Sequence, residues 1–298
     1  MQPLVIAVIL NTNRREDTLD VLDSLQRNDY PNHRDIVLDN GSRDSSVEAI
    51  QSAFPRTQVI ELKKNLGYAG NNNIGIQAAL EQGADWVLVL NEDTILAPDC
   101  LSRLVDTSEA DPRIGILGPM VYHHNDPAVI QSAGGRMGDD WQAWHLGQNE
   151  QDTGQFGAPH VVEWISGCAM MVRRSLIEQV GALDERFFYY FEETEWCLRA
   201  REQGWLIMHV PQAKIWHKGV QVNYQPSPNV TYYSTRNRFL MLSKHNAPAR
   251  AWAIAWLQTL RTLTSWSIRP KWRLLREHRQ AMWQGTLDFL NQRWGMRG

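Results

Sequence analysis

The chain has 298 residues, 43% of them hydrophobic and 21% charged, with a formal net charge of −3. That size and balance allow a full core, in one large domain or one domain with an appendage, and exclude disorder, a low-complexity linker and a repeat solenoid. The charge is uneven: residues 244–298 carry ten Lys/Arg against only Glu277 and Asp288, a local +8 that leaves −11 on the rest. A basic tail on an acidic body points to an anionic partner, phospholipid or a polyanionic acceptor.

Met1-Gln2-Pro3 leads at once into the apolar run 4–10, without a basic n-region or a cleavage site, and reads as a first β-strand. No run approaches the ~18 apolar residues of a membrane span. Cys100, Cys168 and Cys197 are odd in number and scattered, with no CxxC. They suggest neither a disulfide framework nor a zinc site, and fit a reducing cytoplasm.

Up to about residue 95, strands are predicted at 4–10, 36–38, 59–62 and 86–90, alternating with helices at 18–26, 45–53 and 69–81. This alternation implies a parallel, doubly wound sheet whose ligand lies outside the carboxyl ends of the strands. Each of those ends is polar: Asn11-Thr12-Asn13, Asp39-Asn40-Gly41-Ser42, Asn65-Leu66-Gly67-Tyr68 and Asn91-Glu92-Asp93. One such end reads as a cap or turn; four in succession exceed what capping explains.

From residue 114 to 216 the pattern is mixed, with short strands at 116–122, 161–164 and 169–173 and helices at 176–180 and 192–203. The segment 138–159, rich in Gly, Asp and Gln, is either a substrate-facing loop or a surface insertion. Beyond Pro228 come helices at 232–244, 249–266 and 271–289, with breaks near Pro248 and Pro270. The division expected is one domain over 1–228, in halves 1–113 and 114–228, followed by a helical extension over 229–298.

The first loop has no glycines, so the dinucleotide fingerprint is missing, as is a P-loop. A nicotinamide oxidoreductase is thereby disfavoured, and the candidate for neutralising a diphosphate is a divalent metal on carboxylates. Asp93, at the end of a buried strand, is the candidate ligand, and His217 in Ile215-Trp216-His217-Lys218 can complete the sphere, with Lys218 meeting phosphate. Five aromatics, Phe187 to Phe191, run into Glu192-Glu193-Thr194-Glu195. Apolar surroundings and like charges raise a carboxylate's pKa toward that of a general base, so Glu193 is the candidate base and Glu192 the second choice. Glu195 is placed to pair with Arg199 one turn on.

Taken in order, these segments resemble the family 2 glycosyltransferases of the GT-A fold, particularly the bacterial rhamnosyltransferase-like branch. The resemblance covers residues 4–245. It is carried by the four strand-end motifs, with Tyr68 to Asn73 continuing the third, by Ser166-Gly167-Cys168-Ala169-Met170 with Gly181-Ala182-Leu183-Asp184-Glu185, and by Glu192-Glu193 through Cys197-Leu198-Arg199. It implies a mixed, mostly parallel sheet flanked by helices, with the C-terminal helices as an appendage.

The resemblance further implies Asp39 on the pyrimidine base, Leu10, Asn11 and Asn13 lining the nucleoside pocket, and Asn65, Gly67 and Asn73 bordering base and phosphates. Asn91-Glu92-Asp93 stands where the family has DxD, with Asp93 and His217 on Mn²⁺ or Mg²⁺ and Lys218 on the diphosphate. Trp164, Ser166 and Gly167 would floor the acceptor or sugar site, Trp164 being equally readable as core. Two residues depart from the pattern: Asn91 replaces the first acid, and Glu193 stands where an Asp is usual. The implied activity is single-displacement, inverting transfer of rhamnose or another hexose from a dTDP- or UDP-sugar to a saccharide or lipid-linked acceptor in surface polysaccharide synthesis.

A non-catalytic nucleotide-sugar-binding relative is the alternative, and would lack Asp93, His217 or the acid pair. No nucleic-acid motif accompanies the basic tail. There Trp252, Trp256, Leu260 and Leu263 form one helical stripe amid Arg250, Arg261, Arg269, Lys271, Arg276 and Arg279. That pattern fits an interfacial helix, giving membrane contact through residues 249–295 on the inner face of the cell membrane, and equally fits a helix packed on the domain.

Overall fold

The computed structural model describes residues 2–219, 222 and 224–298. Strands β1 (Val5–Asn11), β2 (His33–Asp39), β3 (Gln58–Glu61) and β4 (Trp86–Asn91) alternate with helices α1 (Arg15–Gln26), α2 (Ser46–Ala53) and α3 (Gly67–Glu81). They lie parallel in the order β3-β2-β1-β4. Both faces of the sheet are covered, so β1 and β4 are apolar throughout. Val5, Ala7 and Ile9 pack with α1 and with α4 (Cys100–Ser108) on one face, while Ile6 and Val8 pack with α3 on the other.

The sheet continues through β11 (Ala169–Arg173), reversed between β4 and β6 (Ile114–His123), to β12 (Leu206–His217), which runs parallel to β6. The short β5 (Thr94–Leu96) and β10 (His160–Val161) flank β12, and β7 (Asp126–Ser132) flanks β6. The carboxyl ends of β1, β2, β4 and β12, and the segment entering β11, therefore share one edge. Two predicted elements come out differently. The strand expected at 161–164 stops at Val161, and Trp164 makes a single bridge to Gly135. The helix expected at 271–289 is a 3₁₀ turn (Pro270–Leu275) followed by α9 (Arg276–Leu290), since Pro270 can open a helix but not continue one.

Segment 138–159 is packed. Its strand β9 (Ala143–His145) pairs with β8 (Gly135–Met137), and Leu146 and Phe156 cover Met120, Tyr122 and Ile130. The segment also carries His145 toward the sheet edge.

Helix α5 (Arg174–Val180) follows β11, and α6 (Glu192–Glu202) follows the aromatic run. In that run Phe188, Tyr190 and Phe191 adopt left-handed backbone, with φ of 64°, 69° and 75°. Such geometry costs non-glycine residues roughly 1–2 kcal/mol each. It is fixed from α7 (Pro228–Lys244). Asn237 Nδ2 donates to the carbonyls of Phe187, Tyr189 and Tyr190 at 2.8, 2.9 and 2.7 Å. Arg236, fully buried, donates to those of Arg186, Phe187 and Gly295. Glu195 accepts both branches of Arg199 at 3.0 Å, as its spacing suggests, and also pairs with Lys244 at 2.8 Å, tying α6 to the end of α7. Burial opposes its ionisation, but these cations with His245 bring its carboxyl down to about 2.

Helix α8 (Ala249–Ile268) turns the Trp252 and Trp256 side of the expected stripe inward, against Phe239 of α7 and Phe289 of α9. Left outside, each more than half exposed, are Leu257, Leu260 and Ile268 of α8, with Trp283 of α9 among others. Among the described residues no helix is long and apolar enough to cross a membrane.

Replacing Asn237 by Ala leaves the Tyr189 and Tyr190 carbonyls without their side-chain donor, while Phe187 keeps Arg236. At about 1 kcal/mol per hydrogen bond, urea unfolding should register a loss of about 2 kcal/mol. A change within 0.5 kcal/mol would mean the left-handed loop holds itself.

Candidate active site

The shared sheet edge opens into a cleft of about 1100 Å³. Its donor-side wall comes from the strand ends and includes Leu10, Thr12, Arg14, Asn40, Asn65, Gly67 and Asn91 to Asp93. The facing wall contains Ser166, Gly167, Phe188 to Tyr190, Glu192, Glu193, Tyr224, Tyr233 and Arg297.

Asp39 is buried just behind the donor wall. Its Oδ1 accepts from Asn11 Nδ2 at 2.8 Å and its Oδ2 from the Ser42 amide at 3.0 Å. Asn11 is in turn fixed by Thr18, whose hydroxyl donates to its Oδ1 at 3.0 Å. Asn11 therefore positions Asp39 and does not itself line the cleft. Asn13 ties the first loop to the second by accepting from the Arg43 amide. Asn65 accepts from the Gly67 amide at 2.8 Å and shapes the start of α3. Gly67 has φ +78°, and a Cβ there would lie 2.3 Å from the Phe188 carbonyl oxygen, so only glycine lets the catalytic loop close on α3.

Three expected positions sit elsewhere. The amide of Asn73 is occupied by Leu183, donating to its carbonyl at 2.9 Å and accepting from its N–H at 3.0 Å, so it joins α3 to the segment before the aromatic run. Lys218 is neutralised by Asp17 at 2.9 Å and Asp20 at 2.6 Å on α1. Trp164 is core, with its N–H on the Arg136 carbonyl and its ring edge-on to His145 at 4.7 Å. His145, which the sequence reading missed, lines the cleft; burial lowers its pKa to about 4, so it is neutral.

Asp93 and His217 meet at the end of β4 and β12, with Oδ1 to Nε2 at 3.1 Å. Gln131 Oε1 can only accept, so at 3.0 Å it holds a proton on His217 Nδ1 and leaves Nε2 to face Asp93. Asp93 Oδ1 is buried and has no hydrogen-bond partner. A Cβ at Gly219 would meet Asp93 Oδ2 at 2.3 Å and His217 Nε2 at 3.4 Å, so glycine keeps the space before the pair open. Two acceptors aimed into one open pocket fit a divalent cation whose remaining positions go to diphosphate oxygens and water. Among the described residues no third His, Cys, Asp or Glu joins them.

Arg14, also missed, reaches Asp93 Oδ2 at 3.1 Å and Asp17 at 2.7 Å. Burial resists ionisation of Asp93, but His217 and Arg14 outweigh it and hold the carboxyl below its ordinary range. Its neighbour Glu92 is pushed up to about 7 by burial and by the charge of Asp93.

Across the cleft Glu192 and Glu193 open α6. Burial raises both, and Glu192 is raised further by the charge of Glu193. Two adjacent buried carboxyls titrate as a pair. Glu192, with Oε2 buried and unpartnered, is raised well above its ordinary value, and Glu193 is also raised, with its own and the Thr194 backbone amides opposing the rise. Tyr68 donates to the Gly167 carbonyl at 2.6 Å and so fixes the floor against which Glu193 lies. Cys168, in the same floor, has its thiol pushed up to about 12 by burial and is inert.

A sheet of this order, with an acidic strand end facing a carboxylate pair across its carboxyl edge, is that of a GT-A glycosyltransferase. The chain belongs to glycosyl transferase family 2, whose pattern matches residues 6–181. It is 29% identical over 238 residues to an N-acetylglucosaminyl-diphospho-decaprenol L-rhamnosyltransferase of Mycobacterium tuberculosis, covering 72% of this chain and 76% of that one. Identity to the dTDP-rhamnosyl transferase RfbF of Shigella flexneri is 26% over 262 residues, 83% of each chain. The fold is shared with a mannosyltransferase of Pyrobaculum calidifontis, solved with GDP-Man and Mn²⁺, at a TM-score of 0.60 and 15% identity over 97% of this chain and 88% of that one.

Because Gln131 sets the tautomer of His217, Gln131→Leu should weaken Mn²⁺ binding by about 10–100-fold, read from a manganese titration with UDP present. Unchanged affinity would remove His217 from the metal site.

Proposed function

We propose that the protein is a metal-assisted, inverting hexosyltransferase, with rhamnose from dTDP-rhamnose as the preferred donor group and a UDP-sugar as the second choice. The acceptor is a lipid-linked saccharide in surface polysaccharide assembly. The reading is carried by one observation: the Asp93–His217 pair and the Glu192–Glu193 pair line one cleft. The relatives named above, a rhamnosyltransferase whose acceptor is a diphospho-decaprenol sugar and a dTDP-rhamnosyl transferase, support the donor and acceptor classes.

In this reading residues 1–113 bind the nucleotide and 114–228 the acceptor, and residues 229–298 complete the acceptor wall. Each oxygen of Asp39 keeps a second lone pair, which serves the N–H of a pyrimidine base beside Leu10. Arg14 faces the diphosphate, a role expected of Lys218 but better suited to the cation already in the cleft. Asp93 and His217 would hold Mn²⁺ or Mg²⁺, which neutralises charge on the departing diphosphate.

Glu193 accepts the proton of the acceptor hydroxyl as that oxygen bonds to the anomeric carbon. The bond from this carbon to the diphosphate oxygen breaks with its electron pair, and the nucleoside diphosphate leaves. Attack from the face opposite the leaving group inverts the anomeric centre. Glu192 stays protonated, which keeps a second negative charge away from the base. The exposed Leu260, Ile268 and Trp283, amid the basic residues of α8 and α9, would rest on the membrane that carries the acceptor.

Glu193→Gln should lower kcat by about 100-fold or more with little change in donor KM. Wild-type transfer by this variant, with loss in Glu192→Gln, would move the base by one residue. Because burial raises the pair, kcat/KM should fall on acidification at a pH above ~4.3, the value for an exposed glutamate. A limb at or below that value would argue against a buried base. A panel of UDP- and dTDP-sugars with Mn²⁺ or Mg²⁺ tests the activity itself, and release from no donor would favour a binding protein. Leu260→Glu with Ile268→Glu should abolish flotation with anionic liposomes; unchanged flotation would refute membrane contact.

A further inference from the structure

We propose that Arg297 forms an anion subsite on the acceptor side of the cleft, for the diphosphate that joins an acceptor sugar to its lipid. The inference rests on the lipid-linked reading above and deepens it. The cations on the donor side are paired with acids, Arg14 with Asp17 and Asp93, and Lys218 with Asp17 and Asp20. Arg297 lines the same cleft, yet among the described residues every partner it has is neutral. Its Nε donates to Gln284 Oε1 at 2.9 Å and its Nη1 to Asn229 Oδ1 at 2.8 Å, while its guanidinium carbon stands 5.3 Å from the centre of the Tyr232 ring. The fork is thus held in place by uncharged groups, with Nη2 left without a protein acceptor among the described residues. Gly298, in the same cleft, is bonded by Gln284 Nε2 at 3.1 Å, and among the described residues Arg297 makes no ion pair; a pre-organised guanidinium in no ion pair is what a phosphate or diphosphate requires.

The surroundings identify which diphosphate. The backbone N–H of Arg297 donates to Tyr233 Oη at 2.9 Å, and the Tyr233 ring stacks on Phe188 at 5.5 Å and meets Tyr189 edge-on at 6.3 Å. Phe188 and Tyr189 belong to the loop that leads into Glu192 and Glu193, so Arg297 lies on the base's side of the cleft and not on Asp93's. Tyr189 and Tyr224, both more than 40% exposed, offer aromatic faces to a sugar between the base and the cation. On the other side, Gln284 is the neighbour in α9 of Trp283, which with Leu260 and Ile268 lines an apolar groove of about 470 Å³ on the outer surface. An acceptor seated with its hydroxyl at Glu193 and its sugar on the tyrosines brings its diphosphate to Arg297 and its lipid toward that groove.

The test uses the full chain, with UDP and Mn²⁺ saturating the donor side and farnesyl diphosphate as the probe in a calorimetric titration. Arg297→Gln should weaken the probe at least about tenfold, the scale of one charge-assisted hydrogen bond. Arg297→Lys should recover part of the loss, and the affinity for UDP should not change in either variant. Equal probe affinity in wild type and Arg297→Gln, or a wild type that binds no probe, would overturn the subsite. A parallel loss of UDP affinity would overturn it too, by assigning the cation to the donor. Probe binding that depends on Arg297 in a protein that transfers no sugar would support the subsite while defeating the proposed reaction.

Discussion

The left-handed turn through Phe188, Tyr190 and Phe191 is the constraint on which the active site depends. Aromatic side chains rarely adopt that backbone, and three in four residues persist only where other groups over-determine them. Here the donors are Arg236 and Asn237, which together hold the carbonyls of Arg186, Phe187, Tyr189 and Tyr190. The turn in exchange places Glu192 and Glu193 in the first turn of α6, facing the end of β4. Helix α7, which follows the sheet in sequence, therefore sets the position of Glu192 and Glu193, and is as much a part of the cleft as the strand ends.

Electrostatics follow from the same geometry. Four carboxyl groups, Glu92, Asp93, Glu192 and Glu193, line one cleft. They cannot all be ionised at low cost. The fold divides them: Asp93, beside His217 and Arg14, stays charged, whereas burial and a charged neighbour raise Glu92 and Glu192. Asp93 is thus the carboxylate suited to a cation, while burial raises Glu193 toward the range of a proton acceptor. The diphosphate of the proposed donor would bring negative charge into this acidic space, and Arg14 with the proposed metal would offset it.

The sequence made the first half of the fold legible because its signals are local. Alternating apolar strands and amphipathic helices mark β1 to β4, and polar residues at their ends mark the cleft. Signals that depend on distant partners were not legible. Asn73 looks like a ligand contact until Leu183, 110 positions away, takes both sides of its amide. Lys218 looks available until Asp17 and Asp20, about two hundred positions earlier, close on it. Arg14 and His145 drew no attention because nothing beside them in sequence marks them as cleft residues. Strand β12 was seen only at its end, since Pro211 and a bulge between Val210 and Lys214 interrupt its apolar alternation. In α8 two apolar faces are present, and periodicity alone could not say which one α7 and α9 would cover.

The three cysteines carry a consequence of another kind. Cys100 opens α4 under one face of the sheet, Cys197 lies in α6 under the other, and Cys168 lies in the floor of the cleft; all are free and buried. Burial pushes Cys168 and Cys197 up to about 12 and raises Cys100 as well. Since the thiolate is the reactive form, the folded protein ignores alkylating reagents, and each sulfur reacts only when its own layer opens. The native chain thus contains three separately placed clocks for breathing, one for each side of the sheet and one for the catalytic floor, readable by mass without any added label site.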